Sequence, residues 1–142
     1  MSVAQTTVKA DAAALPLLQS FLSDFWTVEH LPDSARFPFE LALEEIFINV
    51  VMHGSHGRDD VWADVTLRYE HHHAEMVLRD NGNPFDPLAA PPPDLDAAME
   101  DRPVGGLGIH LIRTLMDEVT YRSVDGCNVL TLRKHLDETP AH

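Results

Sequence analysis

Residues 37–54 read FPFELALEEIFINVVMHG, and this stretch decides the fold. From Phe37 to Met52 the residues are apolar on almost every face that a helix would present. A helix that is apolar all round belongs in the middle of a protein, so the sequence predicts a central buried helix over about 34–53. Gly54 and Gly57 then end it.

The few polar residues on this helix point to its chemistry. Glu45 and Asn49 are four residues apart, so both side chains leave the helix on the same side, and His53 continues that stripe one turn later. A buried carboxylate or amide needs a partner, because an unpaired polar group costs about 1–3 kcal/mol. Either the core or a ligand can supply that partner, and taken alone the two interpretations are equally good.

A second polar cluster, DNGNPFDP, covers residues 80–87. Asp80 ends a predicted strand on its core-facing side, where a lone carboxylate is costly unless a donor meets it. The exocyclic amine of a nucleobase would be a suitable donor. Gly82 allows the close approach of a ring or an unusual backbone angle. Alone, the segment is more often an ordinary turn, since Asn-Gly and Asn-Pro are common in loops.

The third cluster is glycine-rich and precedes another amphipathic helix. It consists of Gly105, Gly106, Leu107 and Gly108. Free backbone N–H groups and the positive end of a helix together suit a phosphate group. The cluster lacks the lysine of a P-loop and does not form G-x-G-x-x-G after a first strand. In chain order, the three clusters are expected to supply a catalytic carboxylate, a residue that binds a nucleobase and a helix start that binds phosphate.

The remaining elements indicate the architecture. Asp11 is placed to cap a helix that runs to about Trp26, preceded by a loose start over 1–6 and a short strand near 5–9. Alternating patterns predict strands at 61–69, 76–80, 119–124 and 127–134, the last two joined by an Asp125-Gly126 turn. The predicted fold class is α+β: a two-layer sandwich whose mixed or antiparallel sheet carries helices on one face.

A proline-rich, acidic segment interrupts this pattern at about 84–104. It holds six of the ten prolines and, at about 20 residues, is longer than usual connections. This length is typical of a lid or of a disordered segment, and a short helical turn can form near 95–99. The total length of 142 residues indicates one domain, 1–142.

Composition excludes several classes of protein. With 10 Lys+Arg against 23 Asp+Glu, the net charge of −13 argues against nucleic acid or an anionic membrane as the main partner. No apolar run reaches the roughly 18 residues of a membrane span. The single cysteine, Cys127, excludes an internal disulfide and a thiolate cluster. We therefore expect a cytoplasmic protein.

Together the motifs resemble those of the GHKL (histidine kinase-like) ATPases, and within them the anti-sigma-factor serine/threonine kinases. The matching stretches are LALEEIFINVVMHG at 41–54, DNGNPFDP at 80–87, GGLGIHLIRTLMDEV at 105–119 and GCNVLTLRK at 126–134. The resemblance covers about 37–136 and implies a Bergerat-type ATP-binding fold with ATP and Mg²⁺ as cofactors.

The resemblance also implies a role for each matching residue. Asn49 would coordinate Mg²⁺, and Glu45 would be the general base that accepts the proton of a serine hydroxyl. Asp80 would accept a hydrogen bond from the adenine amine, with Gly82 shaping the base pocket. The remaining residues expected at the nucleotide are His53, Gly105, Gly106, Leu107, Gly108 and, on the last strand, Thr131.

The implied activity is an ATP-dependent serine/threonine protein kinase. Its substrate would be a small anti-sigma antagonist protein, a sigma factor is a further expected partner, and a homodimer is expected. An alternative is a regulator of the same fold that senses nucleotide and binds a protein without phosphorylating it.

Histidines raise two weaker alternatives. His53 and His56 with Glu45 could hold the metal of a hydrolase, although no third conventional ligand follows. His71, His72 and His73 lie at a predicted hairpin tip, where a solvated turn is the simpler interpretation than a metal site, because adjacent residues of a strand face opposite ways.

Overall fold

The computed structural model describes residues 1–89 and 106–136. In this part of the chain, five antiparallel strands form one sheet, and three α-helices pack on one of its faces. The elements are β1 (Ser2–Lys9), α1 (Leu15–Val28), α2 (Phe37–Asn49), β2 (Trp62–Glu70), β3 (His73–Asp80), α3 (Gly106–Leu115), β4 (Glu118–Val124) and β5 (Cys127–His135). The strand order is β1-β2-β3-β5-β4, which confirms the predicted α+β fold class.

The core lies between this sheet and α2. Alternation along β2, β3 and β5 turns one set of apolar side chains toward the helices, and α2 meets them with Phe39, Leu43 and Phe47, all at most 1% exposed. The α1 helix closes one side through Trp26, whose ring centroid lies 5.1 Å from that of Phe39. The prediction that α2 is the central buried helix is therefore confirmed.

The start of the chain differs from the prediction. Residues 1–6 were expected to be loose, but β1 pairs with β2 along its whole length, from Ser2 opposite Tyr69 to Lys9 opposite Trp62. Asp11 does act as a cap, because its carboxylate accepts a hydrogen bond from the Ala13 N–H at 2.9 Å. It caps a 3-10 turn at Ala12–Ala14 that leads into α1.

The end of the buried helix also differs. The α-helix stops at Asn49, and Val50–Gly54 form a π-helical turn, so the predicted helix over 34–53 continues with a wider last turn. This turn leaves the Gly54 carbonyl free to accept a hydrogen bond from the Asn83 N–H at 2.8 Å. The first and second polar clusters are thereby joined through backbone.

Several predicted features fall outside the described residues, namely Gly105, most of the lid and its helical turn at 95–99. Of the helices within 1–89 and 106–136, none has the length and apolar character needed to cross a membrane.

Candidate functional site

A pocket opens between the end of α2 and the ends of β3 and β5. The space between its lining atoms, together with open solvent at its mouth, is about 370 Å³. Its apolar walls come from α2, β3 and β5, and its polar groups come partly from the first two predicted clusters and partly from β4 and β5. The lining residues are Ile46, Asn49, Val50, Gly54, Leu78, Asp80, Asn83, Phe85, Pro87, Tyr121, Asn128 and Leu130. Apolar walls with a few converging polar groups are typical of small-molecule sites.

Asp80 lies at the back of this pocket and is only 6% exposed. Its Oδ1 accepts hydrogen bonds from the Gly82 N–H and from Nδ2 of Asn128, both at 2.9 Å. Among the described residues, none donates to its Oδ2. Burial raises the pKa of Asp80, while the hydrogen bonds from Asn128 and Gly82 act in the opposite direction. Oδ2 of Asp80 is thus an acceptor without a donor among residues 1–89 and 106–136, which fits a ligand with an amine donor.

Gly82 sits where two backbone segments meet. A Cβ at this position would fall 2.8 Å from the Gly54 carbonyl oxygen and 3.0 Å from Oδ1 of Asp80. Sequence reasoning expected a close approach here, and the structure shows that the approaching group is backbone of the π-helical turn. Gly82 therefore lets the loop at 80–87 touch the end of the buried helix.

Glu45 and Asn49 leave α2 on the same side, as their spacing predicted. Asn49 lines the pocket, and its amide makes no hydrogen bond to a described residue. Glu45 is half-buried, and burial followed by the neighbouring Glu44 carboxylate raises its pKa. Its side chain packs against Gly108, where a Cβ would fall 2.7 Å from Cγ of Glu45. Gly108 thus makes room for the carboxyl group of Glu45 at the first turn of α3.

His53 does not continue the stripe into the pocket. The π-helical turn leaves His53 exposed, and its ring stacks on Phe85 with centroids 5.8 Å apart and planes 21° from parallel. Phe85 lines the pocket, so His53 lies behind a lining residue at the mouth. The backbone carbonyl of His53 also accepts a hydrogen bond from Nδ2 of Asn83 at 3.4 Å.

Thr131 lies on the wrong face of the sheet for its expected place near the base. It pairs with Val77 on β3, three residues along β5 from Asn128, and alternation turns it away from Asp80. Asn128 occupies the expected position instead, directly opposite Asp80 in the β3–β5 register. Its polar character in phase with the buried Leu130 was the signal that could have found it.

The glycine-rich cluster is described only in part. Gly106, Leu107 and Gly108 form the first turn of α3, and Gly105 lies outside the described residues. The contact between Gly108 and Glu45 brings this helix start to the carboxylate of the first cluster.

The histidine alternatives find no support in the geometry. Over residues 1–89 and 106–136, no three His, Cys, Asp or Glu side chains are arranged to hold a metal ion. His71 and His72 form the tip of the β2–β3 hairpin with left-handed backbone angles, φ of 51° and 63°. A two-residue turn with both φ values positive is the normal connection of a tight hairpin.

Comparison with known proteins agrees with this arrangement. Residues 8–134 match the histidine kinase-like ATPase domain family. The serine/threonine-protein kinase BtrW of Bordetella bronchiseptica is 32% identical over 95% of this chain and 90% of its own. The serine-protein kinase RsbW of Listeria monocytogenes is 31% identical over 70% of this chain, which spans 65% of that relative.

A solved structure has the same fold. The crystal structure of the RsbU and RsbW domains of Rv1364c from Mycobacterium tuberculosis superposes with a TM-score of 0.67 at 15% identity, covering 98% of this chain and 34% of that one. This chain belongs to the histidine kinase-like ATPase domain family. The resemblance seen in the sequence is thereby confirmed, since the relatives are named serine- or serine/threonine-protein kinases.

Proposed function

We propose that this chain is an ATP-dependent serine/threonine protein kinase that phosphorylates a small anti-sigma antagonist protein in a partner-switching system. The observation that carries the proposal is the position of Asn49 and Asp80 in one pocket of a kinase-family fold, with Glu45 one turn before Asn49 on α2. The names of the relatives support the kinase activity.

The adenine of ATP would lie deep in the pocket. Asp80 offers Oδ2 to the exocyclic amine, and the side chains of Ile46, Leu78 and Leu130 provide apolar surface for the ring. Gly82 keeps the loop low enough for the base to reach Asp80. A carboxylate that meets an amine in a dry site gives a strong hydrogen bond, since one partner is charged.

The phosphates would extend from the base toward Asn49 and the start of α3. At the pocket wall the Asn49 amide has no hydrogen-bond partner within the described part of the chain, and an amide oxygen is a suitable ligand for Mg²⁺. Mg²⁺ would neutralise phosphate charge beside a chain of net charge −13. The N–H groups of Gly106, Leu107 and Gly108, with Gly105 before them, would bind phosphate oxygens at the helix N-terminus.

Glu45 would be the general base. A serine hydroxyl of the antagonist attacks the γ-phosphorus, the bond from that phosphorus to the β,γ-bridging oxygen breaks, and ADP leaves. Glu45 takes the hydroxyl proton. A carboxylate with a pKa raised by burial is a better base near neutral pH than an ordinary one. Most of the acceleration in such transfers comes from positioning and charge stabilisation.

The experiment compares two neighbouring carboxylates on α2. Glu45→Gln should abolish transfer of label from γ-³²P-ATP to an antagonist encoded beside this chain's gene, while ATP binding by calorimetry stays close to wild type. Glu44→Gln is the matched control, because Glu44 is adjacent on α2 but exposed, whereas Glu45 is half-buried against Gly108. Normal transfer by Glu45→Gln would disprove the assigned base.

A second candidate is a regulator that binds nucleotide without transferring phosphate. One observation favours it: the carboxyl group of Glu45 packs on Gly108 and is absent from the pocket lining. Tight Mg-ATP binding by the wild type with no transfer to any antagonist would select this function. In either case we propose a homodimer that also binds a sigma factor, which sedimentation and pull-down would test.

A further inference from the structure

Asn128 is the hub of a hydrogen-bond network behind Asp80. We propose that Asn128 is a positioning residue that selects adenine by holding Asp80 with one carboxylate oxygen turned into the pocket. The inference rests on the proposed adenine-binding role of Asp80 and adds a residue that the sequence motifs did not identify.

The contacts of Asn128 fix the direction of its amide. Nδ2 donates to Oδ1 of Asp80 at 2.9 Å and to the Asn83 carbonyl at 3.1 Å. Oδ1 accepts from the Tyr121 hydroxyl at 2.5 Å and from the Phe85 N–H at 3.2 Å. The reversed amide would place its oxygen against three acceptors, including the Gly82 carbonyl at 3.5 Å, and its NH₂ against a backbone donor, so the neighbours permit one orientation.

This orientation gives the two carboxylate oxygens of Asp80 different roles. Oδ1 is saturated by Asn128 and by the Gly82 N–H, which leaves Oδ2 as the acceptor for a ligand. Adenine offers an amine to that oxygen, whereas guanine and hypoxanthine offer a carbonyl at the same ring position. Two acceptors would then face each other in a buried site, and such an unpaired arrangement is strongly rejected.

Asn128 also favours the ionised form of Asp80. The carboxylate is buried, and burial opposes its charge, while the Asn128 donor favours the charged form. The other ionisable groups acting on Asp80 are Arg58, before β2, and Tyr121, on β4. Only Asn128 and the Gly82 N–H touch the carboxylate among the described residues, so the loss of Asn128 removes half of its direct donors.

The place of Asn128 in the strand supports a dedicated role. It is 8% exposed on the helix-facing side of β5, in phase with Leu130 and Leu132. A polar side chain in that row would be costly if it served packing alone. Thr131, on the same strand but the opposite face, provides a matched control outside the network.

The test measures ATP affinity by calorimetry from pH 5 to 8 for the wild type, Asn128→Ala and Thr131→Val. Because hydrogen bonds to charged groups are worth more than neutral ones, Asn128→Ala should weaken ATP binding roughly 10- to 100-fold. The pH midpoint of binding should move upward, as should the Asp80 carboxyl titration followed by ¹³C NMR without nucleotide. Thr131→Val should match the wild type in both.

Two further variants keep the inference testable if Asn128→Ala does not fold. Tyr121→Phe removes only the hydroxyl that donates to Oδ1 of Asn128, so it should shift affinity and pH midpoint in the same direction by a smaller factor. Asn128→Asp places a second carboxylate beside Asp80, and the two should share a proton and raise the midpoint further. Both substitutions should lower the ratio of ATP affinity to the affinity for ITP, whose base is hypoxanthine.

The outcomes separate this inference from the proposed function. A wild type that binds no ATP would overturn the nucleotide site and this inference with it. ATP binding by the wild type, with unchanged affinity, pH midpoint and base preference in the Asn128 and Tyr121 variants, would overturn only the role of Asn128. A loss of ATP affinity together with an upward shift of the pH midpoint in these variants would support the role of Asn128.

Discussion

Gly108→Ala tests whether the start of α3 determines the position of Glu45, the proposed general base. A Cβ at this residue would fall 2.7 Å from Cγ of Glu45, whereas ordinary carbon contacts begin near 3.4 Å. The overlap extends to the carboxyl group itself, so Glu45 must move. It can do so because it is half-buried and lies beside solvent. The backbone of α2 has no reason to follow.

The size of the effect follows from that displacement. Restoring normal contact moves the carboxyl group by roughly 1 Å, and a misplacement of that size costs about 100-fold in rate. Stability should hardly change, because alanine gains up to about 1 kcal/mol over glycine in a helix and offsets the rearrangement. We therefore expect the phosphoryl-transfer rate to fall by about two orders of magnitude while the free energy of unfolding stays within about 1 kcal/mol of wild type.

The assay combines urea unfolding, ATP calorimetry and label transfer on the same preparation. Glu45→Gln is the reference for complete loss of the base, and Gly108→Ala should approach its transfer rate while retaining ATP binding. A fully active Gly108→Ala would show that the contact with Glu45 does not matter for catalysis. A collapse in stability would show that the clash is relieved by moving backbone.

Two more substitutions test other parts of the site. Gly82→Ala should lower the free energy of unfolding by about 1–3 kcal/mol in urea, because its Cβ would strike the Gly54 carbonyl rather than a movable side chain; a neutral effect would contradict the close approach. Asp80→Asn should abolish ATP binding yet raise stability at neutral pH. Since burial raises the folded-state pKa of Asp80, the wild type loses stability as pH rises from the unfolded pKa through the folded one. Thermal melts from pH 3 to 8 should show that loss weakened in Asp80→Asn, and parallel curves would contradict it.

The buried helix and the shared side of Glu45 and Asn49 could be predicted because both follow from local periodicity. Glu45 and Asn49 share a side of α2 whatever the helix packs against. His53 was misplaced because the π-helical turn at Val50–Gly54 changes the rotation per residue after Asn49, and the sequence pattern contains no signal for that change. Local spacing predicts a face only while the helix stays regular.

The pairing across the sheet was harder to predict. Strand β5 was expected at nearly its observed position, but which of its residues faces Asp80 depends on register, and Asn128 rather than Thr131 holds that position. The beginning of β1 was missed because most of its side chains are polar or small. It becomes a strand through pairing with β2, which is a tertiary interaction.

The junction between Gly54 and the Asn83 N–H has a consequence for protein engineering. This hydrogen bond joins main-chain atoms, and Gly82 packs against it. We therefore expect side-chain substitutions elsewhere to leave the end of the π-helical turn and the loop at 80–87 in the same relative position. A redesign toward another nucleobase should therefore vary Asp80, Asn128 and Tyr121 together and leave both glycines untouched. The backbone around the pocket would then keep its shape while the residues that contact the nucleobase are changed.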